Sequence, residues 1–462
     1  MYFEQFTVEG LGCYSYMLGC PAAGVACVVD PERHVERYMA AARKNGLEIT
    51  HVFDTHLHAD HVSGARDLAE LSGATVYIHP SIDAGFPHKT VAEGDVFTFG
   101  NARLKALETP GHTPNSITFV VSDLTRSEKP MLLLTGDLLF VGDIGRPDLA
   151  GEDMLEEQVK NLYNSLYVKL GEFPDYIEVY PAHGKGSLCG KGMSAKPMST
   201  LGFERRQNPL LDRMDFETFH RIMTEEFQIR PPGFVTIVEK NRRGPETINQ
   251  RSPLRELSMR DVERLRKDPD VRLVDIRPAT EFGAAFIPGA INIGLVPNSA
   301  MWLGMSLDAG MKLIIISNSY GQALEAEKQY RRVGFDDILG CLSTGISEYV
   351  NAGFNLAHLP QLTVDSMKHV LETYPDHRLI DVRTHLEQRT DPFEGADHIP
   401  FQQFIREGID LPKDTHITIV CGTGFRSNIA GSHLKALGYS HVFCLMGGTS
   451  AWNEARRRNR TA

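Results

Sequence analysis

Cysteine is scarce and scattered: 7 of the 462 residues, at positions 13, 20, 27, 189, 341, 421 and 444, an odd number with no CxxC pair. That pattern excludes an evenly spaced disulfide framework and suits free thiols in a reducing compartment. Long apolar runs are missing too. None approaches the roughly 18–20 residues of a membrane helix, and the opening MYFEQFTVEG lacks the basic and apolar regions of a secretory signal. A cytoplasmic protein with no membrane partner is expected. Positive charge is also short, since 48 Lys and Arg against 59 Asp and Glu leave a formal balance of −11. With no basic stretch carrying interleaved aromatics, nucleic acid is not an expected partner.

What is present is ordinary globular material, 42% hydrophobic and 23% charged, in a length that predicts two to four domains. Apolar runs at 24–30, 49–55 and 74–78 read as strands, with helical patterns at 32–45 and 65–71 between them. Strands then dominate, at 95–107, 116–121, 131–135 and 176–180, separated by turn clusters. Adjacent strands with intervening helices predict α/β layers. From Asn208 a helical pattern runs to about Gln228, Arg230-Pro231-Pro232-Gly233 breaks it, and a polar segment follows to Pro253. Residues 208–253 therefore read as a connector.

Beyond it the chain repeats itself. LVDIRPATEF at 273–282 returns as LIDVRTHLEQ at 379–388, and GFDDILGCLSTGISEYV at 334–350 returns as GYSHVFCLMGGTSAWNE at 438–454. Two copies of one domain of βα type are expected.

The strand at 49–55 runs directly into His56-Leu57-His58-Ala59-Asp60-His61. Imidazoles and carboxylates on a loop held by a strand end can converge on a cation. Further donors stand at similar strand exits: His112 in TPGHT, Asp137 after MLLLTG, and His183 after IEVYPA. Seven such side chains suffice for one metal or for two. His34, His51, His79 and His88 match no such position and read as structural or solvent-exposed. These motifs resemble the metallo-β-lactamase fold, an αββα sandwich, over roughly residues 1–207. The segment GDLLFVGDIGRPDLAG at 136–151, with Arg146 and Asp148, looks like the persulfide dioxygenase branch of that superfamily. The resemblance implies one Fe(II) per chain held by His56, His112 and Asp137, a two-histidine, one-carboxylate face open to a thiol-type sulfur and O2. His58, Asp60, His61 and His183 would then orient ligands and move protons, with Arg146 on the substrate side; Cys189, six residues beyond His183, either meets the substrate and relays sulfur near the metal or is a small buried residue in a Gly-rich loop. If all seven bind, two Zn and a thioester hydrolase similar to the glyoxalase II branch follow instead. One departure stands out. Glutathione-using relatives follow the YPAH motif with an acidic residue and a tyrosine, whereas this chain reads GKGSLCGKGMSAKPMSTLG. Another low-molecular-weight persulfide, such as one carried on coenzyme A, is therefore a candidate.

In the second repeat the strand HITIV ends at Cys421, followed by Gly422, Thr423, Gly424, Phe425, Arg426 and a helical pattern. Backbone N–H groups of such a turn and the start of a helix favour an anionic sulfur, and Arg426 can meet an anionic donor or acceptor. With Asp381, Arg383 and the HIP motif at 398–400, the segment resembles a rhodanese domain, whose cysteine carries a sulfane sulfur. In the first copy Ser317 aligns with Cys421, 104 positions apart (421 − 317), and Gln322 with Arg426. That copy has lost thiol and guanidinium and should be degenerate. Cys341 and Cys444 occupy equivalent positions in both copies and read as packing residues.

The expected architecture is a metallo-β-lactamase-fold dioxygenase domain at 1–207, the connector at 208–253, a degenerate rhodanese-like α/β domain at 254–358 and an active one at 359–462. The expected activity is oxidation of a small-molecule persulfide by O2 to sulfite, joined to sulfur transfer through Cys421 that forms or uses thiosulfate. A sulfur carrier or sensor without oxidation is the alternative of another class, and assembly into a homo-oligomer is compatible with the sequence.

Overall fold

The computed structural model describes residues 1–190, 192–212, 214–225 and 233–461. They divide into two compact units, Met1–Ser252 with Arg331–Gly334, and Pro253–Tyr330 with Phe335–Ala462.

The first unit holds two six-stranded sheets. One runs β1 (Tyr2–Val8), β2 (Cys13–Cys20), β3 (Val25–Val29), β4 (Glu48–Phe53), β5 (Thr75–Ile78) and β6 (Lys89–Thr90) in chain order, antiparallel to β3 and parallel from there. The other is ordered β12 (Ser199–Thr200), β11 (Glu178–Pro181), β10 (Leu132–Gly136), β9 (Ile117–Asp123), β8 (Ala102–Glu108) and β7 (Val96–Phe99). The faces that meet contribute one core, in which Leu18, Val29 and Phe53 of the first sheet pack with Leu104, Phe119 and Leu134 of the second. Tyr38, Ala42 and Leu68 cover the outer face of the first sheet, and Val159, Leu162 and Phe219 that of the second. Helix, sheet, sheet, helix is the αββα layering the motifs imply.

Three details differ from the strand and helix pattern read in the sequence. The strand expected at 95–107 is a hairpin, broken where Gly100 adopts a φ of 58° that only glycine takes at little cost. The helix expected from Glu32 starts at Glu36, because Glu32 is still extended and bridged to Ser63. Phe216–Glu225 is helical as expected, but the polar segment running to Pro253 carries a further helix at Gly233–Arg243. The break expected at Arg230-Pro231-Pro232 and the end of the first helical pattern, at 226–228, lie outside the described residues.

In the second unit two parallel sheets repeat one topology. The first is ordered β14 (Ile291–Asn292), β13 (Val271–Asp275), β15 (Lys312–Ile316), β16 (Ile338–Leu342). The second contains β17 (Gln361–Leu362), β21 (His441–Leu445), β20 (His416–Val420), β18 (Arg378–Asp381) and β19 (Asp397–His398) in that order. Strand for strand, β13 to β16 correspond to β18 to β21, and β17 adds an edge. Their near-continuous apolar strands, KLIII and HITIV, are what a sheet covered on both faces requires. Among the described residues no helix is long and apolar enough to cross a membrane.

Phe53 is fully buried between the sheets of the first unit, with its ring centroid 4.9–5.1 Å from those of Tyr77, Phe97 and Phe119. Replacing it with alanine should cost about 3–5 kcal/mol, read as a lowered urea midpoint for unfolding of that unit.

Candidate functional site

Parallel pairing of β10 with β11 sets Gly136 beside Pro181, so both strands deliver their next residues to the same sheet edge. Asp137 and His183 thus arrive side by side, and His183 Nδ1 lies 2.5 Å from Asp137 Oδ1. The loop after β4 brings His56, and the β8–β9 loop brings His112. Their Nε2 atoms stand 3.7 and 3.3 Å from Asp137 Oδ2, a buried oxygen with no hydrogen-bond partner among the described residues. A buried acceptor left unpaired is costly unless something completes it. The three donor atoms lie within 4.8 Å of one another, and two imidazoles with one carboxylate suit a divalent transition-metal ion. The residues present fit such an ion.

Electrostatics prepare the same set. Burial, and next the imidazole of His58, hold His56 well below the usual histidine range, and burial also lowers His112. Burial would raise Asp137, but His183 and His56 beside it outweigh this and hold its carboxyl low. Neutral imidazoles and an ionised carboxylate are the protonation states a metal requires. His183 runs the other way: burial would lower it, yet Asp137 and Asp60 raise it well above the ordinary value.

The other expected residues divide. Asp60, His61 and His183 converge with Cys13: His183 Nε2 lies 2.9 Å from Asp60 Oδ2, His61 Nδ1 3.0 Å from Asp60 Oδ1, and Cys13 Sγ 3.4 Å from Asp60 Oδ2. His58 lies between His56 and His61, ring centroids 4.3 and 4.4 Å away, and its buried Nδ1 has no hydrogen-bond partner among the described residues. Its Nε2 faces Asp30 Oδ1 at 3.2 Å, and Asp30 also accepts from the backbone N and Oγ1 of Thr55. Thr55 Oγ1 in turn sits 3.0 Å from His56 Nδ1, which leaves the Nε2 of that ring facing Asp137. Arg146 is bound through Nε and Nη2 to the two oxygens of Asp148, 2.7 Å each, and its Nη1 reaches the Leu188 carbonyl. It thereby braces the loop of Cys189, a buried thiol whose sulfur lies within 4.8 Å of donor atoms of Asp137 and His183. Burial, then Asp137, push that thiol well above its usual range.

Three residues here escaped the sequence reading. Cys13 resembled the other buried thiols, and Asp30 reads only as the end of an apolar strand. Asn241 belongs to the segment read as a connector, yet its side chain donates to the carbonyls of His58 and His61, 2.9 Å each, and accepts from Ser63 N. It clamps the loop that carries His56, His58 and His61. At Gly184, directly after His183, a Cβ would lie 2.3 Å from the phenol oxygen of Tyr14, so a side chain there requires that ring to move. The histidines set aside stay apart from the cluster: His51 stacks on Tyr77, His79 pairs with Glu108, His88 meets the Phe86 carbonyl, and the backbone N of His34 meets Glu32.

In the second unit Cys421 directly follows β20. Its Sγ, fully buried, accepts from the backbone N–H groups of Gly424 at 3.1 Å and Ser427 at 3.4 Å, with Ser427 Oγ at 3.5 Å. Gly422, Thr423 and Gly424 form the turn, and Phe425 opens the helix Phe425–Ala436. Arg426 is engaged, donating from Nη1 at 2.7 Å and Nη2 at 2.5 Å to the two carboxylate oxygens of Glu387. Burial would raise Glu387, but the bonds from Arg426 carry it down to about 2. Ser317 occupies the same place after β15, and Cys341 and Cys444 are both fully buried.

Comparison with known proteins matches both halves of the chain to known families. The family model of the metallo-beta-lactamase superfamily matches residues 9–183, and that of the rhodanese-like domain matches 258–352 and 363–455. The mitochondrial persulfide dioxygenase ETHE1 of Mus musculus is 30% identical over 211 residues, 46% of this chain and 75% of that protein. The chain belongs to the persulfide dioxygenase–rhodanese fusion family. A solved structure of a metallo-beta-lactamase from Staphylococcus aureus is 32% identical with a TM-score of 0.66, covering 74% of this chain and 98% of that one. A hydroxyacylglutathione hydrolase of Polaromonas is 33% identical over 178 residues, 37% of this chain and 61% of that protein.

Gly145 connects backbone and site. A Cβ there would lie 1.9 Å from the Asp137 carbonyl oxygen and 3.0 Å from His112 Cβ. Gly145→Ala should therefore spread the three donors and weaken metal retention at least about tenfold, measured by elemental analysis after dialysis. Wild-type metal content in that variant would contradict the placement.

Proposed function

We propose that the first unit is an iron-dependent dioxygenase for a low-molecular-weight persulfide, and that Cys421 of the second unit is a sulfurtransferase centre handling the same sulfur. The observation that carries the first half is the unpaired Asp137 oxygen faced by the Nε2 atoms of His56 and His112. These three would hold one Fe(II), which when bound supplies open positions for sulfur and O2. The balanced reaction is RSSH + O2 + H2O → RSH + sulfite + 2 H⁺.

The chain's own groups position and protonate. Thr55 fixes the ring of His56, Asn241 fixes the loop, and His183 holds a proton between Asp137 and Asp60. Arg146, tied to Asp148, serves the substrate side by shaping the loop of Cys189. In the second half, the persulfide of Cys421 loses its outer sulfur to sulfite: Cys–S–S⁻ + sulfite → Cys–S⁻ + thiosulfate, with the Gly424 and Ser427 N–H groups stabilising the sulfur anion left behind. An anionic partner reaches Arg426 by exchange with Glu387. Carrying both centres on one chain raises the effective concentration of the shared intermediate. In this reading residues 1–207 house the dioxygenase, 208–253 link it onward, 254–358 form the degenerate copy and 359–462 the active one.

A dinuclear zinc thioester hydrolase is the second reading, favoured by the similarity to hydroxyacylglutathione hydrolases and by the Cys13, Asp60, His61 and His183 cluster. His58 does not decide between the readings: Asp30 takes its Nε2, and its buried Nδ1 has no hydrogen-bond partner among the described residues, as a supported ligand would.

Elemental analysis of anaerobically purified protein should give one iron per chain, with O2 consumed when a small persulfide is added. Two zincs with thioester hydrolysis would overturn the assignment. Cys421→Ser should keep oxygen uptake on a preformed persulfide and lose thiosulfate formation. Loss of both in a folded variant would rule out two separate centres.

A further inference from the structure

The copy that lost its cysteine is joined to the cradle of the copy that kept one. Asn292 ends β14, opposite Asp275, and its counterpart in the second copy is His398, opposite Asp381. Both do the same local work. Asn292 Nδ2 donates to the carbonyls of Asp275 and Arg277 at 2.7 and 2.9 Å, and His398 Nε2 stands 2.9 Å from the Arg383 carbonyl.

Asn292 has a further bond to offer. Its Oδ1 accepts from Asn428 Nδ2, and its backbone N–H donates to Ser432 Oγ at 3.1 Å. Asn428 and Ser432 lie one turn apart on the helix Phe425–Ala436, and Asn428 Oδ1 accepts from Gln361 Nε2 at 2.9 Å. All of this is dry, with Asn292 and Asn428 2% exposed and Ser432 fully buried. Asn428 directly follows Ser427, whose N–H and hydroxyl meet the sulfur of Cys421. On the other side of the same turn, Trp302 of the first copy packs against Phe425 and Phe401, ring centroids 5.9 and 5.4 Å apart.

We propose that the first copy is the fixed half of the Cys421 cradle, and that Asn292 is a positioning residue acting through Asn428 on the turn whose N–H groups meet Sγ. This rests on the reading of Cys421 as the sulfur carrier. A buried amide pair is directional. Without Asn292 Oδ1 the buried Asn428 donor must find another partner, the first helical turn shifts, and the Gly424 and Ser427 N–H groups lose their aim at the sulfur. The charged and titratable groups around Cys421 are Arg426 with Glu387, the Asp381–Arg383 pair and the thiol of Cys444. Asn292 adds no charge to them, so it acts by position alone.

The test is the pH profile of Cys421 alkylation by iodoacetamide in the full chain, followed on the Cys421 peptide by mass spectrometry. Asn292→Ala should raise the midpoint by roughly half to one pH unit, because hydrogen bonds to the thiolate are lost. The double variant with Asn428→Ala should shift it by less than the sum of the two single variants, since Asn292 and Asn428 share one bond. Oxygen uptake on a preformed persulfide should be unchanged. Trp302→Leu, at a partly exposed site, should raise the midpoint by a smaller amount and decides the matter if Asn292→Ala does not fold. A wild-type midpoint in folded Asn292→Ala, or in Trp302→Leu where that variant must decide, overturns the proposal. A wild-type chain whose Cys421 takes no sulfur from thiosulfate removes the underlying reading and this inference with it.

Discussion

The two oxygens of Asp137 have different duties, and the first unit is arranged around that division. Oδ1 is held by His183, the neighbour that parallel pairing of β10 and β11 delivers, while Oδ2 has no hydrogen-bond partner among the described residues and is turned toward two histidines. A carboxylate bonded on both sides would be a structural anchor, and one bonded on neither would be free to rotate. Held by one oxygen, it has a fixed orientation and an available lone pair. Asp30 and Thr55 do for His56 what His183 does for Asp137. Asn241 reaches the same loop from a helix far along the chain, which makes that helix part of the support of the site.

The second unit uses one topology twice with different outcomes. Each copy ends a central apolar strand at a turn, and only one places sulfur there. The retained Asp–Arg pairs, Asp275 with Arg277 and Asp381 with Arg383, are buried and bidentate in both. They preserve the strand ends irrespective of chemistry. Ser317 and Gln322 stand in the first copy where the second has Cys421 and Arg426, on the same scaffold, and a scaffold of matching shape is available as a neighbour.

How much was legible in the sequence follows from the range of each signal. The motif HLHADH, the strand exits before Asp137 and His183, and the repeat from 273 onward are local patterns, and they carry the layering, the tandem copies and the clustering of His56, His112 and Asp137. The β1–β2 hairpin left no such trace, because every residue of β2 is buried and alternation is absent. Cys13 was hidden with it. Asp30 and Asn241 are single polar residues whose roles depend on partners 25 to 183 positions away, a distance no periodicity spans. Arg426 was read for its charge, but its pairing with Glu387 is a tertiary fact that charge counting misses.

Cys421 is buried at the floor of its loop, with its sulfur met by the N–H groups of Gly424 and Ser427. A disulfide-type S–S bond is about 2 Å long, so a sulfane sulfur added to Sγ needs that much further room. The loop must therefore open to the small molecules that load and unload it. Size becomes the filter: compact reagents that enter as the cargo does can meet the thiol, and bulky ones are held off.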